Sequence, residues 1–235
     1  MEDDIATHAL ERGGRRKFRD SREEQIFRGN ARLTTVAQRG KWSRLFTDPA
    51  FASRAIRYAL RLPVRQQTED RRILEQLIFP RLAARADIRS ILFVGCAWYT
   101  KHYERKHFPR KDYWTLDAEP GARKFGGRRH IVDRLEHLQR YFPANFFDLI
   151  ICNGVLGFGL DSVRDCDQAF DACYRSLRKG GQLLLGWNDM RERAPVALAE
   201  VRALRHFCVS PLEPFKTWRY RTNTPYRHTY DCYRK

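Results

Sequence analysis

Residues 91–117, ILFVGCAWYTKHYERKHFPRKDYWTLD, constrain the fold of this chain more than any other stretch. Ile91, Leu92, Phe93 and Val94 form an unbroken apolar run, the mark of a strand buried on both faces. Gly95 stops it, and a helix through Tyr103 is predicted to follow. Tyr113, Trp114, Thr115 and Leu116 make a second strand, which Asp117 ends. The pattern then repeats. His130, Ile131 and Val132 form a short strand ending at Asp133. Leu135, Leu138, Tyr141 and Phe142 fall at helical spacing. FFDLIIC (146–152) is a fourth strand, residues 161–177 a helix closed by the basic turn Arg178-Lys179-Gly180-Gly181, and GQLLLGW (181–187) a fifth strand. A helix over 194–207 follows, and strands near 207–212 and 228–233 can close the sheet as an antiparallel pair. Strands alternating with helices imply a mostly parallel α/β sheet with helices on both faces.

The first 87 residues have a different character. Residues 1–40 are polar and charged without period, and read as a flexible basic segment. Residues 41–87 read as a helical N-terminal extension. Within it, residues 42–62 alternate Trp42, Leu45, Phe46 and Ile56 with arginines at near-helical spacing, so that peripheral contact with an anionic membrane is one expectation. Thr68 opens a second helix with acids in its first turn and Ile73, Leu74, Leu77, Ile78 and Leu82 as its buried stripe, and Pro80 is placed to kink it. Residues 88–235 form the α/β domain. MEDDIATHALERGGRRKF has no apolar core, so no secretory signal is expected, and no apolar run approaches the roughly 18 residues of a spanning helix. Six scattered cysteines without metal or disulfide spacing suit a reduced, cytoplasmic protein with no metal site. The net charge of +17 implies attraction to something anionic. Nucleic acid is the less favoured candidate, because the arginines are spread along the chain.

A strand-ending glycine followed roughly 20 residues later by a strand-ending acid is how a βαβ unit grips a nucleotide ribose. The glycine lets backbone approach the ligand, and the carboxylate accepts from ribose hydroxyls. Gly95 and Asp117 stand in those places. A tight surface turn explains the same residues without a ligand.

The order of signals resembles a class I S-adenosylmethionine-dependent methyltransferase of the seven-stranded, Rossmann-like type, over about residues 88–235. FFDLIICNGVLGFGLD is similar to that family's fourth-strand motif, LRKGGQLLLGW to its turn into the fifth strand, and HTYDCYRK to its closing strand. The resemblance implies a seven-stranded, mostly parallel sheet with the last strand antiparallel. It implies S-adenosylmethionine as cofactor, Asp117 on the ribose, Asp133 near the adenine amino group, and Asn153 and Gly154 at the methionyl end. The first motif departs from the family: Phe93 stands at its acid, Gly95 at the first glycine, Ala97 at the second and Tyr99 at the third. Three readings stay open: a shifted cofactor with Trp98 or Tyr99 packed on it, a different nucleotide-like ligand, or a scaffold that has lost the cofactor. A base is needed only for a hydroxyl or protonated-amine acceptor. His102 and Asp189 are the catalytic candidates, with Tyr103 and Asn188 near the same mouth. The activity implied is methyl transfer to oxygen or nitrogen of a small molecule or glycan precursor, and an RNA methyltransferase or a non-catalytic binding module are its alternatives. Oligomeric state is not legible.

Overall fold

The computed structural model describes residues 68–190 and 192–235, which fall within one compact unit, Leu62–Lys235. The flexible basic segment expected over 1–40, the amphipathic stretch 42–62, and the extension as far as residue 67 lie outside the described residues.

The period-2 alternation of the central strands builds two cores. β1 (Ser90–Val94) directs Leu92 and Val94 to one face and Ile91 and Phe93 to the other. β2 (Asp112–Asp117), β3 (Arg129–Val132), β4 (Phe147–Asn153) and β5 (Leu177–Asn188) join it in parallel, in the order β3-β2-β1-β4-β5. β8 (His228–Arg234) then pairs antiparallel with β5, from Gln182↔Arg234 to Asn188↔His228. The outer edge of β8 carries two short strands, β6 (Cys208–Val209) and β7 (Arg219–Arg221). The sheet therefore has eight strands where seven were expected, because the sixth position is split into two pieces. The strand order reverses between β1 and β4, and ligand crevices in such sheets open at that point, beyond the C-terminal strand ends.

One face is covered by α4 (Val163–Ser176), through Cys166, Ala169, Phe170 and Cys173, and by the 3-10 helix Leu135–Arg140. Ser162 caps α4, its hydroxyl accepting from Asp165 N at 3.1 Å. The other face is covered by the N-terminal helix and by α3 (Tyr103–His107). The N-terminal helix runs as α1 (Glu69–Ile73), a π-helical turn (Leu74–Ile78) and α2 (Phe79–Ala84). Pro80 accounts for the π turn: its ring crowds the carbonyl four residues back, and the widened turn just before it relieves the clash. Ile73, Leu74, Ile78 and Phe79 are each at most 1% exposed. At about 1.5–3 kcal/mol per buried side chain, this helix is an integral part of the domain.

Three expected elements differ. The helix predicted to run through Tyr103 begins there instead. The Thr100 hydroxyl accepts from Ala97 N and donates to Ala97 O, which holds 97–102 as turns. Residues 194–207 form two 3-10 segments, Leu198–Glu200 and Arg202–His206, in place of one helix. Asp167 on α4 takes the Ala203 N–H at 2.9 Å, which a continuous helix would have used internally. The Arg178–Gly181 turn belongs to β5 rather than to α4. It makes a bulge between the pairs Phe147↔Leu177 and Leu149↔Gln182, with Gly180 in the left-handed region (φ +78°). Asp148 of the fourth-strand motif bonds Arg178 here and also accepts from Arg89 N and Ser90 N at 2.7 and 2.8 Å. The two motifs are thus tied together at the sheet end opposite the crevice.

Candidate functional site

The backbone at the C-terminal edge of β1 is shaped by one close approach. Gly95 has φ +92°, and a Cβ on it would lie 2.7 Å from the Asn153 carbonyl oxygen of β4. Its N–H donates to Leu116 O of β2 at 3.1 Å, so the turn after β1 is held against both neighbouring strands. Asp117 ends β2 beside it. One carboxylate oxygen accepts from Cys96 N at 2.6 Å and the other from Glu119 N at 2.9 Å. Gly95 and Asp117 are therefore joined in one turn-to-turn clasp. Each carboxylate oxygen keeps a lone pair for a further donor. Burial, reinforced by the charge of Asp117, pushes the Cys96 thiol up to about 12, so it is no nucleophile at neutral pH.

Ala97 is half-buried and bonded to Thr100. Trp98 is 44% exposed and meets the half-buried Tyr99 edge-on at 5.3 Å. Neither ring belongs to a core cluster. Phe93 does belong to the core: it is 0% exposed, with its ring 5.5 Å from that of Tyr103. Gly154, after β4, has φ +74°, and a Cβ there would meet nothing within 4 Å.

A buried polar network meets the same edge, and its members are 156 and more residues apart in sequence at the extremes. α1 contributes Asp70 and Arg71, 4% and 6% exposed. Tyr226 Oη donates to Asp70 Oδ1 at 2.7 Å, and Tyr230 Oη to the Asp70 carbonyl at 2.8 Å. Arg71 Nη2 donates to Tyr99 Oη at 2.6 Å, with the guanidinium 3.9 Å from the Tyr99 ring centroid. The surrounding donors and acceptors set the amide of Asn153. Its oxygen accepts from Arg71 Nη1 and Nη2 at 3.0 and 3.1 Å, and its nitrogen donates to His228 Nε2 at 3.3 Å. His228 is then neutral with its proton on Nδ1, which donates to Asn188 Oδ1 at 2.8 Å. Burial holds the imidazole down to about 4, opposed by Asp70 and assisted by Arg71. Asn153 fits because the strand behind it carries Gly186, where any Cβ would run into the amide.

The remaining candidates stand outside this group. Asp133 accepts from His137 Nδ1 at 2.7 Å and Tyr141 Oη at 2.8 Å, beyond β3. His102 immediately precedes α3 without a side-chain capping bond and is half-buried, its pKa lowered by burial and then by Arg105, Lys101 and Lys106. Asp189 follows β5 at the crevice edge, where it pairs with Arg221 and Arg227. Among the described residues no three His, Cys, Asp or Glu side chains gather as a metal site, and no helix is long and apolar enough to cross a membrane.

Asp70, Arg71, Tyr226 and His228 were missed by the sequence reading. A signal existed for the first two. Positions 70 and 71 precede Leu74 by four and three residues, so they extend the apolar stripe of the helix with charged groups. Charge on a buried stripe marks a site or an ion pair.

Comparison with known proteins agrees with this geometry. Residues 92–185 match the family model described as a methyltransferase domain. No curated protein matches the chain. Among solved structures, the N-methyltransferase NodS from Bradyrhizobium japonicum WM9 is 18% identical, with 67% of this chain and 92% of that one covered and a TM-score of 0.51. A TehB-like SAM-dependent methyltransferase from Corynebacterium glutamicum ATCC 13032 is 17% identical, covering 78% and 99% with a TM-score of 0.50. A protein of Pyrococcus horikoshii OT3 is 14% identical, covering 72% and 92% with a TM-score of 0.52. At these identities the likeness is one of fold. The chain thus has the class I, Rossmann-like methyltransferase fold, and residues 92–185 of it match a methyltransferase domain.

Proposed function

We propose that this methyltransferase domain transfers a methyl group from S-adenosylmethionine to oxygen or nitrogen of a small molecule or glycan precursor. The Gly95–Asp117 clasp carries the reading, because it places a close-approach glycine and a carboxylate with free lone pairs side by side at the switch point. Asp117 would hold the ribose hydroxyls and Asp133 the adenine end. Asn153 and Gly154 would border the methionyl end, where Gly154 leaves open space. The cofactor supplies a methyl group already activated on a sulfonium. What the protein adds is placement of the acceptor in line with it. Asp189, engaged by Arg221 and Arg227, serves better as an anchor of that wall than as a proton acceptor. His102 is the remaining candidate base.

A small acceptor is supported by the roof over the crevice edge. The first turn of α1 is bonded to the β8 side through Tyr226 and Tyr230, which narrows the approach. A nucleic-acid acceptor is the second reading, favoured by the net charge of +17. Six cysteines without a disulfide suit the reducing cytoplasm, where we place the reaction. The test is titration with S-adenosylhomocysteine, followed by transfer of labelled methyl groups to cell extract with and without nuclease. Binding, with label in a nuclease-resistant small-molecule fraction, is expected. Label lost to nuclease favours the second reading. A folded protein that binds no S-adenosylhomocysteine is a scaffold.

A further inference from the structure

Past the C-terminal end of β5, positive charge gathers in excess. Arg221, the last residue of β7, and Arg227, the residue before β8, both reach one oxygen of Asp189, Oδ2, with Arg227 Nη2 at 3.3 Å. Two guanidiniums on one carboxylate leave one positive charge over. Each commits a single nitrogen, Nη2, to that oxygen, and the arginine side chains stay 47% and 54% exposed against 23% for Asp189. Arg193 is exposed beside them, its guanidinium 5.7 Å from the ring centroid of Tyr226, the neighbour of Arg227. Glu192 balances Arg193 in number, so the excess over these five residues stays at one.

The turn that carries Arg227 is held from several sides. Arg227 has φ +49°, a left-handed conformation that costs a residue with a side chain about 1–2 kcal/mol. Its N–H donates to Thr224 O at 2.8 Å, and its carbonyl accepts from Asp189 N at 3.2 Å and from Thr229 Oγ1 at 3.0 Å. The hydroxyls of Thr222 and Thr224, 3% and 8% exposed, bond each other at 2.9 Å, and Thr224 Oγ1 also accepts from His228 N at 3.0 Å. Arg227 is therefore fastened, backbone to backbone, to the same Asp189 that its side chain pairs with. Strain that the surroundings enforce at a crevice edge is characteristic of ligand clamps.

The position fits an acceptor rather than the cofactor. Neighbouring strands lie about 4.8 Å apart. The end of β5 is one strand beyond Asn153 of β4 and three strands beyond Asp117 of β2. The proposed cofactor occupies the interval from Asp117 to Asn153, so this rim lies past its methionyl end.

We propose that Arg221 and Arg227 form an anion clamp for the methyl acceptor, and that the acceptor is a small molecule carrying a phosphate monoester. The inference rests on the proposed methyl transfer and narrows its substrate class. A phosphate monoester offers three oxygens, enough to bridge two guanidinium forks, and it neutralises the excess charge.

The test follows the arginine Nε–Hε signals of the full chain by NMR at fixed ionic strength, during titration with inorganic phosphate, glucose 1-phosphate and glucose. Saturable shifts of Arg221 and Arg227 are expected with both phosphates and not with glucose. Arg221→Gln and Arg227→Gln should each weaken phosphate binding about tenfold, the scale of a hydrogen bond to a charged group. Arg110→Gln removes an exposed charge just before β2, at the opposite end of the sheet, and should change it less than about twofold. The titration of the unaltered chain stands even where a variant fails to fold. No saturable shift at Arg221 and Arg227, or an equal loss in Arg110→Gln, overturns the clamp. A single-stranded oligonucleotide that moves these two signals where both small phosphates do not gives the rim to nucleic acid and overturns the small acceptor. S-adenosylhomocysteine is titrated separately. If the folded chain binds phosphate at the clamp but not this compound, the methyltransferase reading fails, and the acceptor role with it.

Discussion

At the scale of single residues, Asp117 fastens the β1 turn through Cys96 N, and the proposed function adds a second duty, holding the ribose. Asp117→Ala should weaken S-adenosylhomocysteine binding by about 1.5–3 kcal/mol and also lower the melting temperature, because Cys96 N loses its acceptor. Unchanged affinity in a folded variant would remove Asp117 from the site. Trp98 gives the opposite contrast. At 44% exposure it supports little of the core, so Trp98→Ala should cost under about 1 kcal/mol of stability and show its effect in cofactor titration. His228 sets a pH dependence. Its folded value of about 4 lies below the ordinary 6.5, so the unfolded chain binds the extra proton between them. Stability is fully present above pH 6.5 and falls as pH drops toward 4, by on the order of 3 kcal/mol. His228→Gln should flatten that window in denaturant titrations at pH 7, 5.5 and 4. Burial works to raise the Glu75 carboxyl, but the neighbouring His107 and a hydrogen bond from Lys106 pull it down to about 2. Its own contribution is therefore lost only below pH 4.5, and the two effects separate.

At the scale of elements, the turns after β1 and β4 share a left-handed glycine but differ in what surrounds it. Gly154→Ala should cost only the backbone penalty, about 1–2 kcal/mol. Gly95→Ala must also displace the Asn153 carbonyl and should cost about 2–5 kcal/mol, visible as a lower urea midpoint. The order and type of β1, β2, β4, β5 and α4 were legible in the sequence because burial on both sheet faces leaves unbroken apolar runs, and α4 carries a single clean stripe. The 194–207 segment was not. Its apolar residues satisfy a helical period, yet the Ala203 N–H is captured by Asp167, a contact between residues 36 apart that no local pattern records. The same reason hid half of the site. Gly95 and Asp117 lie at strand ends and could be placed by counting, and Asn153 and Gly154 by the resemblance of the fourth-strand motif. Arg71 and His228 acquire their roles only when α1 and β8 arrive at Asn153 from opposite ends of the chain.

At the scale of the whole molecule, the second core exists only because the N-terminal helix covers Ile91, Phe93, Leu149 and Ile151. A chain beginning at Ile88 should show no cooperative thermal transition. It loses Ile73, Leu74, Ile78 and Phe79, whose burial at about 1.5–3 kcal/mol each is comparable to the 5–15 kcal/mol that holds an ordinary domain folded. A chain beginning at Leu62, the start of the compact unit, should retain that transition. The lateral edges of the sheet behave differently from its faces. On one side β8 is fenced by a two-residue strand and a three-residue strand, the latter carrying Arg219 and Arg221. On the other, the four-residue β3 begins with Arg129 and His130. Neither border offers a long, uncharged row of backbone groups to another chain. The seven-residue β8 is shut between its neighbours, so copies of this sheet meet at borders that discourage fibrils.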